Sequence, residues 1–168
     1  MTPSNAITYC VGDATVPIGG GPALIAHVCN DVGAWGAGFV CALSKRWKQP
    51  ESEYRRWFSK APADMPKFAL GEVQFVQVTN DIWVANMIGQ HGISRGLKKR
   101  GSPPVRYEAI DRALAKVGDH ALKTKASVHM PRIGCGLAGG RWEFVEPLLI
   151  THLCQRGIPV TVYDLKPS

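Results

Sequence analysis

Short runs of β-branched and aromatic residues alternate along the chain with longer segments whose apolar positions recur every three to four residues. The runs at 7–11, 23–29, 73–78, 82–88, 127–131 and 160–163 are each bounded by Gly, Pro, Asn or Asp, a pattern that predicts strands. Between 104 and 123, Val105, Ala109, Ala113, Val117 and Ala121 repeat at four-residue spacing. Arg106, Asp111, Arg112, Lys116 and Asp119 fall largely on the other faces, so the segment reads as an amphipathic helix. Further helices are predicted over 39–47, 51–59 and 145–155, the last closed by Gly157. Pro147 fits that last helix if it lies in the first turn, where an amide has no intrahelical partner to lose.

Thr79-Asn80-Asp81 joins two predicted strands by a link too short for a crossover, so that pair is an antiparallel hairpin. The remaining strands are separated by helices. Near-continuous apolar stretches such as Ala23-Leu24-Ile25-Ala26 imply a sheet covered on both faces. The expected fold is therefore α/β, a three-layer α/β/α sandwich around a mixed, mostly parallel sheet of about six strands, with residues 1–168 as one domain.

Composition narrows the function classes. A chain of 168 residues that is 45% hydrophobic and 20% charged can bury one sizeable core, which excludes disorder as the main state. Its 20 Lys+Arg against 13 Asp+Glu leave a formal charge of +7, pointing to an anionic partner, either a phosphorylated small molecule or nucleic acid. No apolar run approaches the roughly 18 residues that span a bilayer, and residues 1–6 carry no basic leader segment, so a soluble protein without a membrane partner is expected. Five cysteines (Cys10, Cys29, Cys41, Cys135, Cys154) lack CxxC or CxxH spacing. That argues against disulfides and structural zinc and for a reducing, cytoplasmic compartment; neither metal nor cofactor is expected.

Ligands of α/β proteins sit at the carboxyl ends of strands, so the loops leaving strands carry the candidate chemistry. Gly12-Asp13-Ala14 follows the first strand; Asp13 suits either an exocyclic amine or the cap of a turn, and capping is the commoner use. The segment from Asn30 and Asp31 through Gly33, Trp35, Gly36, Ala37 and Gly38 enters a helix with two polar side chains and three glycines. A strand-to-helix turn accounts for the polar pair but not for three glycines around Trp35; glycines let backbone approach a ligand closely. The third loop, Ile133-Gly134-Cys135-Gly136-Leu137-Ala138-Gly139-Gly140, has four glycines in eight residues and precedes the last helix. Its amides and that helix's N-terminus could cradle a pyrophosphate, although the spacing is neither GxGxxG nor a P-loop.

Together, Gly12-Asp13, the stretch His27-Val28-Cys29-Asn30 with its Gly-Trp-Gly-Gly loop, Pro131-Arg132-Ile133-Gly134-Cys135-Gly136-Leu137 and the terminal Thr161-Val162-Tyr163 resemble a macrodomain. The resemblance spans 7–165 and lies nearest the branch with ADP-ribosyl glycohydrolases and ADP-ribose 1''-phosphate phosphatases. It implies ADP-ribose as ligand, free or attached to a small molecule, protein or nucleic acid. It also implies Asp13 at the adenine amine, Asn30 and the loop 33–38 about the distal ribose and diphosphate, loop 133–138 on the other side, and Tyr163, Asp164 and Leu165 bordering the adenine.

Catalysis is a separate question, because one fold hosts both binders and enzymes. The lysine-dependent glycohydrolases of this branch use a lysine and an Asp directly after GCGL; this chain has Gly89-Gln90-His91 and Ala138 at those places, which makes that mechanism unlike this protein's. His27, within a predicted buried strand, reads either as a base or as a hydrogen-bonded core histidine. Asn30 and Asp31 are the further candidates, as orienters of a water. The first reading is hydrolysis at the distal-ribose 1'' position of a phosphate monoester, an O-acetyl ester or an ADP-ribosyl linkage. The other is a non-catalytic reader of ADP-ribosylated protein or nucleic acid, suggested by Arg95, Lys98, Lys99, Arg100 and Arg106 in a stretch that has no acidic residue from 82 to 107. A solvated basic loop is the commoner explanation of such a run. Cys135 would have a lowered pKa if a helix N-terminus faces it, but no base is evident beside it. Trp47, Trp57, Trp83 and Trp142 read as packing residues, and the expected state is monomeric.

Overall fold

The structure is a computed structural model that describes residues 6–93 and 103–166. The strands β1 (Thr8–Val11), β2 (Ala23–Asn30), β3 (Val73–Gln77), β4 (Ile82–Gln90), β5 (Ser127–Met130) and β6 (Val160–Asp164) form one sheet in the spatial order β1-β6-β5-β2-β4-β3. All neighbours are parallel except β3, which returns antiparallel to β4 with Gln77 opposite Trp83. The hairpin expected at 79–81 is present; the Thr79 hydroxyl accepts from the Asp81 and Ile82 amides at 3.2 and 3.0 Å.

Period-two alternation along the central strands sorts the core into two halves. Leu24 and Ala26 of β2 and Ala85 and Met87 of β4 pack against α3 (Tyr107–Thr124) and α4 (Trp142–His152) through Ile110, Leu114, Val117, Val145 and Leu149. Ile25 and Cys29 of β2 and Val84 and Ile88 of β4 pack instead with α1 (Phe39–Arg46) and α2 (Gln49–Lys60) through Leu43, Tyr54 and Trp57. The architecture is a three-layer α/β/α sandwich, with each fully buried Leu, Ile or Val contributing about 1.5–3 kcal/mol. No helix among the described residues is long and apolar enough to cross a membrane.

Helix boundaries differ from expectation where tertiary contacts intervene. α3 starts at Tyr107, because Val105 pairs as an isolated bridge with Gln90 at the end of β4. α4 starts at Trp142 rather than 145, which puts Pro147 a turn and a half inside the helix, where it forfeits a bond to the Glu143 carbonyl. The helix then ends at His152, and a 3₁₀ turn over Cys154–Arg156 carries the chain to Gly157 at φ 77°.

Candidate functional site

The parallel strands all end at one edge of the sheet, where a cleft of about 770 Å³ opens, within the roughly 300–1,000 Å³ typical of small-molecule sites. Gly12, Asp13 and Ala14 line it after β1, beside Tyr163 of β6 and the following Leu165 and Lys166. Loop 131–138 contributes Pro131, Arg132, Ile133, Gly134, Gly136, Leu137 and Ala138. On the other side stand Ala37, Gly38 and the first turn of α1, with Gln90 from β4 and His27 and Val28 from β2.

The two glycine-bearing loops meet across this cleft. Gly38 is the N-cap of α1 at φ 84° and ψ −146°, backbone that a side chain rarely adopts, and no side chain caps the helix. The N-terminus of α1, without a side-chain cap, therefore sits at the cleft wall, where a helix N-terminus favours an anion. This corrects the expectation that the last helix supplies that end: neither Arg141, the N-cap of α4, nor Trp142 lines the cleft. Loop 133–140 is closed on itself by Gly139 N to Gly136 O at 3.0 Å and Gly140 N to Gly134 O at 2.7 Å. A Cβ on Gly140 would overlap the Gly134 carbonyl oxygen, so the loop depends on glycine there.

At the β1/β6 end, Asp13 Oδ1 accepts from the Thr15 amide at 2.8 Å and the Thr15 hydroxyl at 2.7 Å. The carboxylate thus caps a turn while still lining the cleft. The Tyr163 hydroxyl accepts from the Ile18 amide at 2.9 Å and shares a hydrogen bond of 2.7 Å with His129 Nδ1. Burial pushes the Tyr163 phenol up and the His129 imidazole down to about 4. Arg132 is held between the rings of Tyr9 and Trp142, 5.1 Å from each, and donates twice to Asp164 at 2.6 and 3.0 Å. Asp164 therefore faces Arg132 rather than lining the cleft, and that pairing holds its carboxyl below the usual range.

Of the three candidate catalytic residues, His27 takes the second of its two sequence readings, while Asn30 and Asp31 stand outside the cleft lining. His27 is buried, its Nε2 lies 2.5 Å from Asn86 Oδ1, and its ring packs against Trp35 and Phe39. Asn86 Nδ2 donates to Gln74 Oε1 and Pro50 O, which leaves its oxygen as acceptor and puts the His27 proton on Nε2. Burial pulls its pKa down to about 4 despite that bond. His27 is a hydrogen-bonded core histidine, not a poised base. Asn30 does not line the cleft: its Oδ1 accepts from the Val32 and Ala34 amides at 3.0 Å and its Nδ2 donates to Ala34 O at 2.8 Å, while the Tyr54 hydroxyl donates to its backbone carbonyl at 2.6 Å. It holds the loop in shape. Asp31 also stands outside the lining, with Oδ2 2.7 Å from His91 Nδ1 and Oδ1 accepting from Gly92 N at 2.8 Å. Burial would raise its pKa, but the Gly92 amide and His91 outweigh that and hold the carboxyl below its usual range.

Three further expectations are revised. Trp35 is buried, donates Nε1 to Ser44 Oγ at 2.8 Å and packs on Tyr54, so it offers no exposed ring to a ligand. Gly33 packs against the Phe58 ring, and neither it, Gly36 nor Cys135 lines the cleft. The Cys135 thiol is pushed up by burial, Arg132 opposing only in part, which removes the thiolate reading. Of the basic run, Arg95, Lys98, Lys99 and Arg100 lie outside the described residues, and the Arg106 guanidinium is occupied by the carbonyls of Pro103, Pro104 and Val105 at 2.7–3.2 Å.

Sequence reasoning missed Gln90, Phe39, Val40, Ala42 and Arg132 as lining residues. Gln90 was findable as the polar residue closing β4 at the ligand edge, and Arg132 by its place one residue before the glycine loop. Among the described residues no group of three or more His, Cys, Asp or Glu is arranged to hold a metal.

No family profile matches the chain. A solved macrodomain protein from Streptomyces coelicolor is 57% identical, covering 94% of this chain and 98% of that one, with a TM-score of 0.81. The Mus musculus protein named Chromodomain-helicase-DNA-binding protein 1-like is 32% identical over 95% of this chain and 18% of its own length. The Homo sapiens protein named ADP-ribose glycohydrolase OARD1 is 38% identical over 40% of this chain and 45% of its own. The chain thus spans less than half the length of either of these curated relatives within the match.

Proposed function

The chain belongs to the macrodomain family, and from that premise we propose that its cleft binds ADP-ribose and that the protein hydrolyses an ADP-ribose derivative at the 1'' position of the distal ribose. The observation that carries the binding is the pairing of two backbone walls, the uncapped N-terminus of α1 at Gly38 and the closed glycine loop 133–138, on opposite sides of one cleft. Amide dipoles on both sides suit a diphosphate, which needs donors at fixed positions more than it needs lysines. Asp13 and Tyr163 at the β1/β6 end, with the apolar Leu165, suit an adenine ring with its exocyclic amine. Lys166 adds a positive charge at the same end, while that of Arg132 is offset by Asp164.

Hydrolysis is supported by the likeness to a protein named as an ADP-ribose glycohydrolase. The lysine-dependent route does not suit this chain, because Ala138 and Gln90 occupy the cleft where an aspartate and a lysine would be needed. The substrate class is therefore a 1''-phosphate, a 1''-acyl ester or an ADP-ribosyl linkage to a macromolecule. A panel of ADP-ribose 1''-phosphate, O-acetyl-ADP-ribose, and ADP-ribosylated protein and DNA tests this. Release of free ADP-ribose from at least one member is the expected result. Tight ADP-ribose binding with no turnover of any member would instead make the protein a reader of ADP-ribosylated partners.

A further inference from the structure

We propose that His91, held by Asp31, is the proton acceptor of the hydrolysis, an inference that rests on the hydrolase reading above. β2 and β4 are adjacent parallel strands, and each hands over to a polar residue at the ligand edge: Asp31 follows β2 and His91 follows β4. Their side chains meet with Nδ1 2.7 Å from Oδ2, and Asp31 is fixed by the Gly92 amide on its other oxygen and by its own amide donating to Gln90 O at 3.0 Å. His91 is anchored through its backbone amide to Pro104 O at 2.8 Å, while its side chain remains 62% exposed. With Nδ1–H donated to the carboxylate, Nε2 is the acceptor nitrogen. Asp31 is the charged group that faces this ring among the described residues.

Elimination points the same way. Among the described residues, the titratable side chains that line the cleft are Asp13, His27, Arg132, Tyr163 and Lys166. Asp13, Tyr163 and Lys166 belong to the β1/β6 end, and Arg132 is a cation paired with Asp164. His27 has its Nε2 committed to Asn86 inside the sheet and Cys29 Sγ 4.0 Å from its Nδ1, and burial, which disfavours the imidazolium that proton uptake would form, sets it apart from the exposed His91. The histidine–carboxylate pair that is left is Asp31–His91; neither lines the cleft, but His91 directly follows Gln90, which does. In the step assigned to it, a water oxygen forms the new bond to C1'' and His91 Nε2 takes one of that water's protons. The bond from C1'' to the leaving oxygen breaks with its electron pair going to that oxygen, which departs as a carboxylate or phosphate anion. The imidazolium, stabilised by Asp31, then returns its proton to solvent. Asp31 acts here as the positioning residue.

The test compares wild type with His91→Ala and Asp31→Asn on whichever substrate wild type turns over, with ADP-ribose affinity measured by calorimetry on each. His91→Ala is expected to lose about 100-fold or more in kcat with ADP-ribose affinity unchanged, and added imidazole is expected to restore part of the rate to it but not to Asp31→Asn. Asp31→Asn should lose less than His91→Ala. Unchanged kcat in His91→Ala while wild type is active overturns the dyad and leaves the hydrolase reading standing. Absence of turnover by wild type itself overturns that reading and the dyad with it. A kcat loss that imidazole does not relieve and that tracks a loss of ADP-ribose affinity shows a structural role and also overturns the proposal.

Discussion

His27 Nε2 and Asn86 Oδ1 lie 2.5 Å apart as register neighbours on β2 and β4, with Gln74 opposite Asn86 on β3 completing a buried polar row. The row runs on the α1/α2 side of the sheet and ends in α2, where Gln74 Nε2 donates to Glu53 O at 2.9 Å and Asn86 Nδ2 to Pro50 O at 3.2 Å. Each member is tolerable in the core only because its neighbour satisfies it.

Replacing Asn86 with Leu strands the His27 Nε2–H and the Gln74 Oε1 together. The expected cost is about 2–6 kcal/mol of folding stability, from two unsatisfied groups at about 1–3 kcal/mol each. Urea unfolding checks it, and a loss under 1 kcal/mol would show that the row is not the support described.

Acid should weaken the fold through two histidines. His27 and His129 have pKa values lowered by burial to about 4 from an ordinary 6.5, so the unfolded chain binds their protons first. Their contribution is complete above pH 6.5 and is lost as pH falls toward 4. For His27 the slope approaches about 1.4 kcal/mol per pH unit in that window. Unfolding midpoints measured between pH 4 and 7.5 should show it, and a flat profile would contradict the buried neutral state.

Asn30→Ala should behave as a loop-shaping change. The substitution removes the partners of two amides and one carbonyl in 30–34, so stability and ADP-ribose affinity are expected to fall together, the former by about 1–3 kcal/mol. A large kcat loss at full affinity and stability would restore Asn30 to the chemistry.

Gly140→Ala probes the closed loop. Because the new Cβ would overlap the Gly134 carbonyl, loop 133–138 must rearrange, and ADP-ribose affinity is expected to drop about tenfold or more, equivalent to about 1.4 kcal/mol. Gly20→Ala, where nothing lies within 4 Å of the added carbon, serves as the control and should leave affinity unchanged. Equal affinities in both variants would contradict the role given to the loop.

Strand and helix assignments were legible because they rest on local chemistry. The β-branched runs, the four-residue spacing through α3 and the Thr79-Asn80-Asp81 turn each act within a few residues. Pro147 was misplaced because the start of α4 is decided by tertiary packing, which overrides the weak local preference of a single proline.

Local chemistry along the chain was enough to predict the strands, two covering helical layers and the two glycine loops that flank the cleft. Periodicity and turn chemistry are properties of neighbouring residues, and the motifs around Gly12, Gly38 and Gly134 stand in the order the family resemblance requires. Which polar side chains are free to act emerges from contacts between distant parts of the folded chain. His27 is silenced by Asn86, 59 positions away, and Asp31 is paired with His91 across 60, whereas the Asn30 side chain is tied locally to Val32 and Ala34. A hydrogen bond between distant strands leaves no periodic trace in the chain, yet it sets both the burial and the protonation of the groups it joins.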